Sequence, residues 1–242
     1  DGVKSKIWSG ARPNHAMCIF EQIYFARPDS ILNGELAYET RRRLGAAVYR
    51  EHPVDADIVV GIPDSSTPHA VGLAAAAKIP YVEAIIRNRY VGRTFIQPDQ
   101  HSRSQGVKTK FNAMRGVVEG KRLLVVDDSI VRSTTVTRIV KMLRKAGAKE
   151  IHMRVASPPI KSTCHFGVDM ATLGELIAYN KTVDEIRDYI GADSLAYLSV
   201  EGLHQAVRAP DKTYCNGCLT GKYPIPVQLE MNKLELGITQ GI

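Results

Sequence analysis

The chain has 242 residues, 44% hydrophobic and 24% charged, an ordinary globular composition that is long enough for a sizeable core in one large domain or two small ones. No apolar run approaches the length of a membrane span and the start lacks a basic-then-apolar leader pattern, so a cytoplasmic protein with no membrane partner is expected. The formal charge of +7 suits an anionic ligand, but Lys and Arg are spread along the chain rather than gathered into one arm, which argues against nucleic acid.

In chain order, residues 1–33 carry Pro, Asn and Asp with little periodicity and read as a covering segment. The run "ADIVVGIP" (56–63) is a short β-branched strand closed by Gly and Pro, and "PHAVGLAAAAKI" (68–79) is an Ala-rich helix. "YVEAIIR" (81–87) is strand-like, and "RLLVVDD" (122–128) is the clearest buried strand. "TTVTRIVKMLRKAGA" (134–148) places Val136, Ile139, Val140 and Leu143 on one helix face, with Gly147 as its stop. "EIHMRVAS" (150–157) is the next strand; beyond it, "VDEIRDYIG" and "VEGLHQAV" are helical patterns around a strand-like "SLAYLS". Strand–helix alternation predicts an α/β fold, a mainly parallel sheet flanked by helices, with ligands at the carboxyl ends of the strands. The expected organisation is a covering segment 1–33, a core 34–172, and C-terminal helices with a tail over 173–242.

The stretch "RLLVVDDSIVRSTT" carries the chemistry. It ends a strand in Asp127 and Asp128 and starts a helix at Thr134. Amides at a helix start lack partners and the helix dipole is positive there, so the loop is suited to an anion. Ser129, Ser133, Thr134 and Thr135 add hydroxyl donors, and Arg132 lies in the same loop. Phosphate accepts hydrogen bonds, whereas a ribose diol donates them to ionised Asp. A sugar phosphate therefore explains both halves, with Mg²⁺ joining carboxylate to substrate oxygens. Three rivals share the pattern. A P-loop NTPase needs G-x-x-x-x-G-K-[ST], which this chain lacks. In a phosphoacceptor domain the acidic pair would open the domain, and an ordinary capped turn explains single residues but not the run.

"VVDDSIVRSTT" resembles the phosphoribosyl-diphosphate (PRPP) motif of type I phosphoribosyltransferases. Together with "CIFEQIYFARPDS" (18–30), "GIPDSS" (61–66) and "NRYVGRTFIQP" (88–98), it resembles the amidophosphoribosyltransferase family from about Cys18 to about Tyr223. The resemblance implies a type I phosphoribosyltransferase fold with a hood. It implies that Asp127 and Asp128 meet ribose hydroxyls and Mg²⁺, and that Ser129, Ile130, Val131, Arg132, Ser133, Thr134 and Thr135 hold the 5′-phosphate. Asp64, Ser65 and Ser66 would meet the diphosphate, Ser65 joining the Mg²⁺ shell. Arg87, Arg89 and Arg93 would lie on a closing loop, Arg89 and Arg93 as catalytic cations, with Tyr90 and Phe95 excluding water. Family members usually have Lys at position 87 and Gly at position 133; Ser133 adds a hydroxyl but resists positive φ.

The implied reaction displaces pyrophosphate from PRPP with ammonia, giving 5-phosphoribosylamine at the start of purine synthesis. A non-catalytic PRPP-binding fragment or sensor is the alternative. The four cysteines are too few for a disulfide scaffold and leave reduced thiols or a metal site. "CNGC" alone says little, but the resemblance implies that Cys18, Cys164, Cys215 and Cys218 hold a [4Fe–4S] cluster, with zinc as runner-up. Full-length members begin with a glutaminase domain whose nucleophile is an N-terminal cysteine. No such domain is in this sequence, so glutamine hydrolysis is not expected from it, and a glutaminase domain or subunit is an expected partner. A homotetramer is common in the family.

Overall fold

The computed structural model describes residues 2, 4, 16–88, 111–168, 172–208 and 214–227. Its centre is a four-stranded parallel sheet in the order β4–β7–β8–β9, formed by Ile58–Gly61 (β4), Arg122–Asp127 (β7), Glu150–Val155 (β8) and Ser194–Tyr197 (β9). In register, Gly61 lies beside Val126, and Asp127 beside Val155, which lies beside Tyr197. The sheet's last strand falls on the strand-like run 194–199, beyond residue 172 where the core was expected to end.

Both faces of the sheet are covered, and β4 and β7 accordingly read as continuous hydrophobic runs, whereas β8 alternates and buries His152 and Arg154 among its apolar residues. Ile58, Val60, Leu123, Val125, Ile151 and Met153 face one core, shared with α4 (Thr134–Lys145) and α6 (Val183–Ile190). On α4 the buried residues are Val136, Ile139, Val140 and Leu143, the predicted stripe. Val59, Leu124 and Val126 face a second core, shared with α1 (Ala37–Glu51), α2 (Thr67–Ala77) and α7 (Val200–Val207).

α1 is unassigned in the sequence reading, yet it carries much of that second core through Leu44, Ala47 and Val48. It crosses α2 at very short range: a Cβ on Gly45 would fall 1.8 Å from the His69 carbonyl oxygen, and one on Gly72 would fall 1.9 Å from that of Arg42. Glycines on both helices are what allow this approach.

The segment read as one strand over 81–87 divides. Tyr81 bridges to Val59 in parallel, while Ile85–Arg87 (β5) pairs antiparallel with Phe111–Ala113 (β6). Arg115–Val118 (α3) then leads into β7. Ile31–Leu32 (β2) and Glu35–Leu36 (β3) form a small hairpin before α1. Ile177–Asn180 (α5) precedes α6.

The N-terminal and C-terminal coverings meet. Met17–Cys18 (β1) runs parallel to Tyr214–Cys215 (β10), with Cys18 beside Cys215, and Gly217–Thr220 (α8) follows. Tyr214 fastens the pairing, its hydroxyl accepting from Gln22 Nε2 at 2.8 Å and from Asn33 Nδ2 at 2.7 Å.

Candidate active site

At the carboxyl ends of β4 and β7 a cleft of about 860 Å³ opens, where an open parallel sheet binds ligands. β4 delivers Asp64 and Ser65 to it, β7 delivers Asp127 and Asp128, and the turn into α4 delivers Ser129 to Thr135. The first-turn amides of α4 have no intrahelical partner, as at any helix start. Ser133 has φ 60°, the left-handed conformation, with its hydroxyl donating to the Arg132 carbonyl at 2.6 Å. The chain thus adopts with Ser the positive φ that Ser resists.

The two carboxylates are held from behind. Ser66 Oγ donates to Asp127 Oδ1 at 3.0 Å and accepts from the Asp128 amide at 3.1 Å. Ser129 Oγ donates to Asp128 Oδ1 at 2.8 Å. Ser66, expected on the substrate, is fully buried; it supports the carboxylates, and Ser65 is the serine that reaches the cleft. Asp128 is only 4% exposed. Asp127 keeps part of its surface in the cleft, but its carboxyl is surrounded by protein. Burial, reinforced by the charge of Asp128, holds Asp127 well above the ordinary carboxylate range. Burial also raises Asp128, opposed by hydrogen bonds from Ser65, Ser129 and Ser66 and by the Arg41 charge.

Such a pair is poised for a cation. The oxygens of Asp127, Asp128 and Ser65 are hard donors, the kind that Mg²⁺ prefers.

Two exposed ion pairs border the cleft. Arg87 Nη1 lies 3.0 Å from Asp64 Oδ2, and Arg132 Nη2 lies 2.9 Å from Glu175 Oε2. Arg89 and Arg93, with Tyr90 and Phe95, lie outside the described residues. Sequence reasoning missed the aromatic wall: Phe20, Tyr24 and Phe25 line the cleft from the N-terminal segment. Their signal was in "CIFEQIYF", where Ile19 and Ile23, and Phe20 and Tyr24, stand one helical turn apart in a stretch too short to place by itself.

The cysteine-bearing segments come together away from the sheet. Cys18 and Cys215 are neighbours across β1 and β10. The Lys161 and Ser162 amides donate to the Cys218 carbonyl, and the Phe166 amide donates to Cys164 Sγ at 3.4 Å. Burial pushes the Cys218 thiol up to about 12, and Cys18, Cys215 and Cys164 add to the rise. Burial likewise raises Cys18, with Cys215 and Cys164 contributing. Among the described residues, no three His, Cys, Asp or Glu side chains are arranged to hold a single metal ion.

Comparison with known proteins agrees with this geometry. Residues 28–162 match the family described as the phosphoribosyl transferase domain. The chain is 50% identical over 230 residues to an amidophosphoribosyltransferase of Methanothermobacter thermautotrophicus, covering 94% of this chain and 48% of that protein. It is 52% identical over 231 residues to that of Bacillus subtilis, again 94% and 48%. The solved glutamine PRPP amidotransferase from B. subtilis, complexed with ADP and GMP, superposes with a TM-score of 0.85 at 50% identity, covering 94% of this chain and 51% of that one. The chain therefore spans about half the length of the relatives it matches. With the matched region containing three of the four sheet strands, the acidic pair and the loop into α4, the chain belongs to the phosphoribosyl transferase domain family.

Proposed function

We propose that this chain is the phosphoribosyltransferase half of an amidophosphoribosyltransferase, releasing pyrophosphate from PRPP with ammonia as acceptor. One observation carries the reading: the Asp127–Asp128 pair and the helix-start loop of Ser129 to Thr135 open into the same cleft, opposite Asp64 and Ser65. A phosphate site beside hydroxyl acceptors is complementary to a ribose 5-phosphate, and Asp64 and Ser65 in the same cleft would meet the diphosphate. Similarity to amidophosphoribosyltransferases at about half identity supports ammonia rather than a nucleobase as acceptor.

In the reaction the ammonia lone pair forms the C1–N bond. The C1–O bond to the diphosphate breaks, its electron pair leaves with pyrophosphate, and the nitrogen then loses one proton to solvent. No protein nucleophile is needed. The loop from Ser129 to Thr135 fixes the 5′-phosphate through amides and hydroxyls. Asp127 and Asp128 accept from the ribose hydroxyls and favour positive charge at the sugar. Arg87 is placed to exchange Asp64 for the diphosphate, and Arg89 and Arg93 would add charge as the 87–98 loop closes. Mg²⁺ held by Ser65, Asp127 and Asp128 would neutralise the leaving group.

The four cysteines are proposed to hold a [4Fe–4S] cluster of structural role. The convergence of their segments supports it: the buried thiols are neutral by themselves, and the iron of a cluster would supply the charge that holds them as thiolates. The ammonia would come from solution or from a glutaminase domain or subunit, in a cytoplasmic homotetramer as the resemblance implies.

The test is anaerobic pyrophosphate release from PRPP and Mg²⁺, with ammonia or glutamine as donor. Release with ammonia alone is expected. No release with either would sink the catalytic reading and leave a PRPP-binding fragment.

A further inference from the structure

Arg41 belongs to an Arg41–Arg42–Arg43 run on α1, but its side chain is only 2% exposed. Its guanidinium grips carbonyls rather than carboxylates. Nε donates to the Gln22 carbonyl at 3.0 Å; Nη2 donates to Ala26 at 2.7 Å and to Glu21 at 3.3 Å. All three carbonyls belong to one short segment, the turn Glu21–Phe25 and the residue after it. That turn is wound wider than an α-helix, with the Ala26 amide bonded to the Glu21 carbonyl. So short a wide turn satisfies few of its own carbonyls, and a planar fork of donors is suited to the rest.

The same turn presents Tyr24 and Phe25, 49% and 44% exposed, on the cleft wall. Their rings meet edge-on at 5.5 Å, and Phe25 lies 6.1 Å from Phe20. Large aromatics left facing a polar cleft lose apolar burial, and a buried guanidinium without a contacting carboxylate is itself costly. Both make sense if the wall has a task and Arg41 holds it to that task.

We infer that Arg41 is a positioning residue: by clamping the 21–26 carbonyls it holds Tyr24 and Phe25 as a dry wall beside the acidic pair, which keeps water from replacing ammonia as acceptor. This rests on the PRPP reading of the cleft. The suppressed side reaction is balanced in the same way: a water oxygen bonds to C1, pyrophosphate leaves with the C1–O electron pair, a proton passes to solvent, and ribose 5-phosphate results.

The experiment compares the full chain with Arg41→Lys, which keeps the charge and loses the fork, and with Tyr24→Ala/Phe25→Ala, which truncates exposed rings only. Two quantities are read: the rate of pyrophosphate release with ammonia relative to that without, and amide hydrogen exchange. Arg41→Lys is expected to speed exchange over 21–26 on the order of tenfold while β7 amides stay unchanged. Both variants are expected to lower the ammonia-to-water rate ratio on the order of tenfold, through a rise in the ammonia-independent rate. Combining them should lower it no further. An equal fall in both rates, or an unchanged ratio in the aromatic variant, would overturn the proposal even if Arg41→Lys failed to fold. If the unsubstituted chain released no pyrophosphate at all, the catalytic reading would fall and leave a PRPP-binding fragment. The exchange measurement would still decide the clamp: faster exchange over 21–26 upholds it and unchanged exchange overturns it.

Discussion

Gly45→Ala tests how the fold positions the cleft. The new methyl carbon would stand 1.8 Å from the His69 carbonyl oxygen, 2.6 Å from its carbon and 3.0 Å from the His69 Cα. These are backbone atoms in the first turn of α2, so no side-chain rotation relieves the clash. Ordinary contact requires α1 and α2 to separate by roughly 1.5 Å, in an interior packed as tightly as a crystal. Overpacking of this kind costs about 1–3 kcal/mol or more, against about 1 kcal/mol gained in helix propensity. A net loss of about 2 kcal/mol is expected, which for a chain of this size lowers Tm by about 4–8 °C. The shift also has a functional consequence. α2 starts just after Ser66, which holds both carboxylates, and a displacement on the order of 1 Å at a reacting group costs about 10²-fold in rate. Urea unfolding and pyrophosphate release check both. Gly116→Ala on α3 is the control, since a Cβ there meets nothing within 4 Å; it should be neutral or stabilising. If Gly45→Ala matched Gly116→Ala in stability and rate, the close helix crossing would not be what places the site.

Asp127→Asn should stabilise the metal-free chain by about 1–2 kcal/mol while abolishing turnover, because it removes one of two buried like charges. The same burial sets a pH dependence. The folded chain holds the Asp127 proton more tightly than the unfolded chain, so stability without Mg²⁺ falls as pH rises from the ordinary carboxylate range through the raised folded value. Urea midpoints against pH should show that slope, and Asp127→Asn should flatten it; an unchanged slope would remove Asp127 as its source. Ser133→Gly should gain up to about 1 kcal/mol by relieving the left-handed φ, whereas Ser133→Val should lose about 2 kcal/mol, both read by thermal unfolding. Metal analysis after anaerobic purification should find iron and sulfide in the intact chain and neither in Cys218→Ser, with zinc in place of iron refuting the cluster.

The sequence by itself determined the parallel α/β layering. β4 and β7 carry unbroken apolar runs because both sheet faces are covered, and α4 announces its buried stripe through Val136, Ile139, Val140 and Leu143. It also determined the Asp127–Thr135 loop, because strand end, acidic pair, hydroxyls and helix start are contiguous and their chemistry is local. Tertiary structure alone decided the rest. Ser65 and Ser66 are equal as letters; only the packing of α2 against β4 and β7 buries Ser66 behind the carboxylates and leaves Ser65 in the cleft. Arg41 is one of three consecutive arginines, and its burial follows from a turn 15 to 20 residues earlier folding back over α1. Gly45 and Gly72 look like ordinary helix glycines until two backbones meet. Tyr24 and Phe25 become a cleft wall only because β1 pairs with β10, nearly two hundred residues away in sequence. Local chemistry is written in neighbouring residues, whereas a contact between distant segments exists only after the chain has lost the entropy of bringing them together.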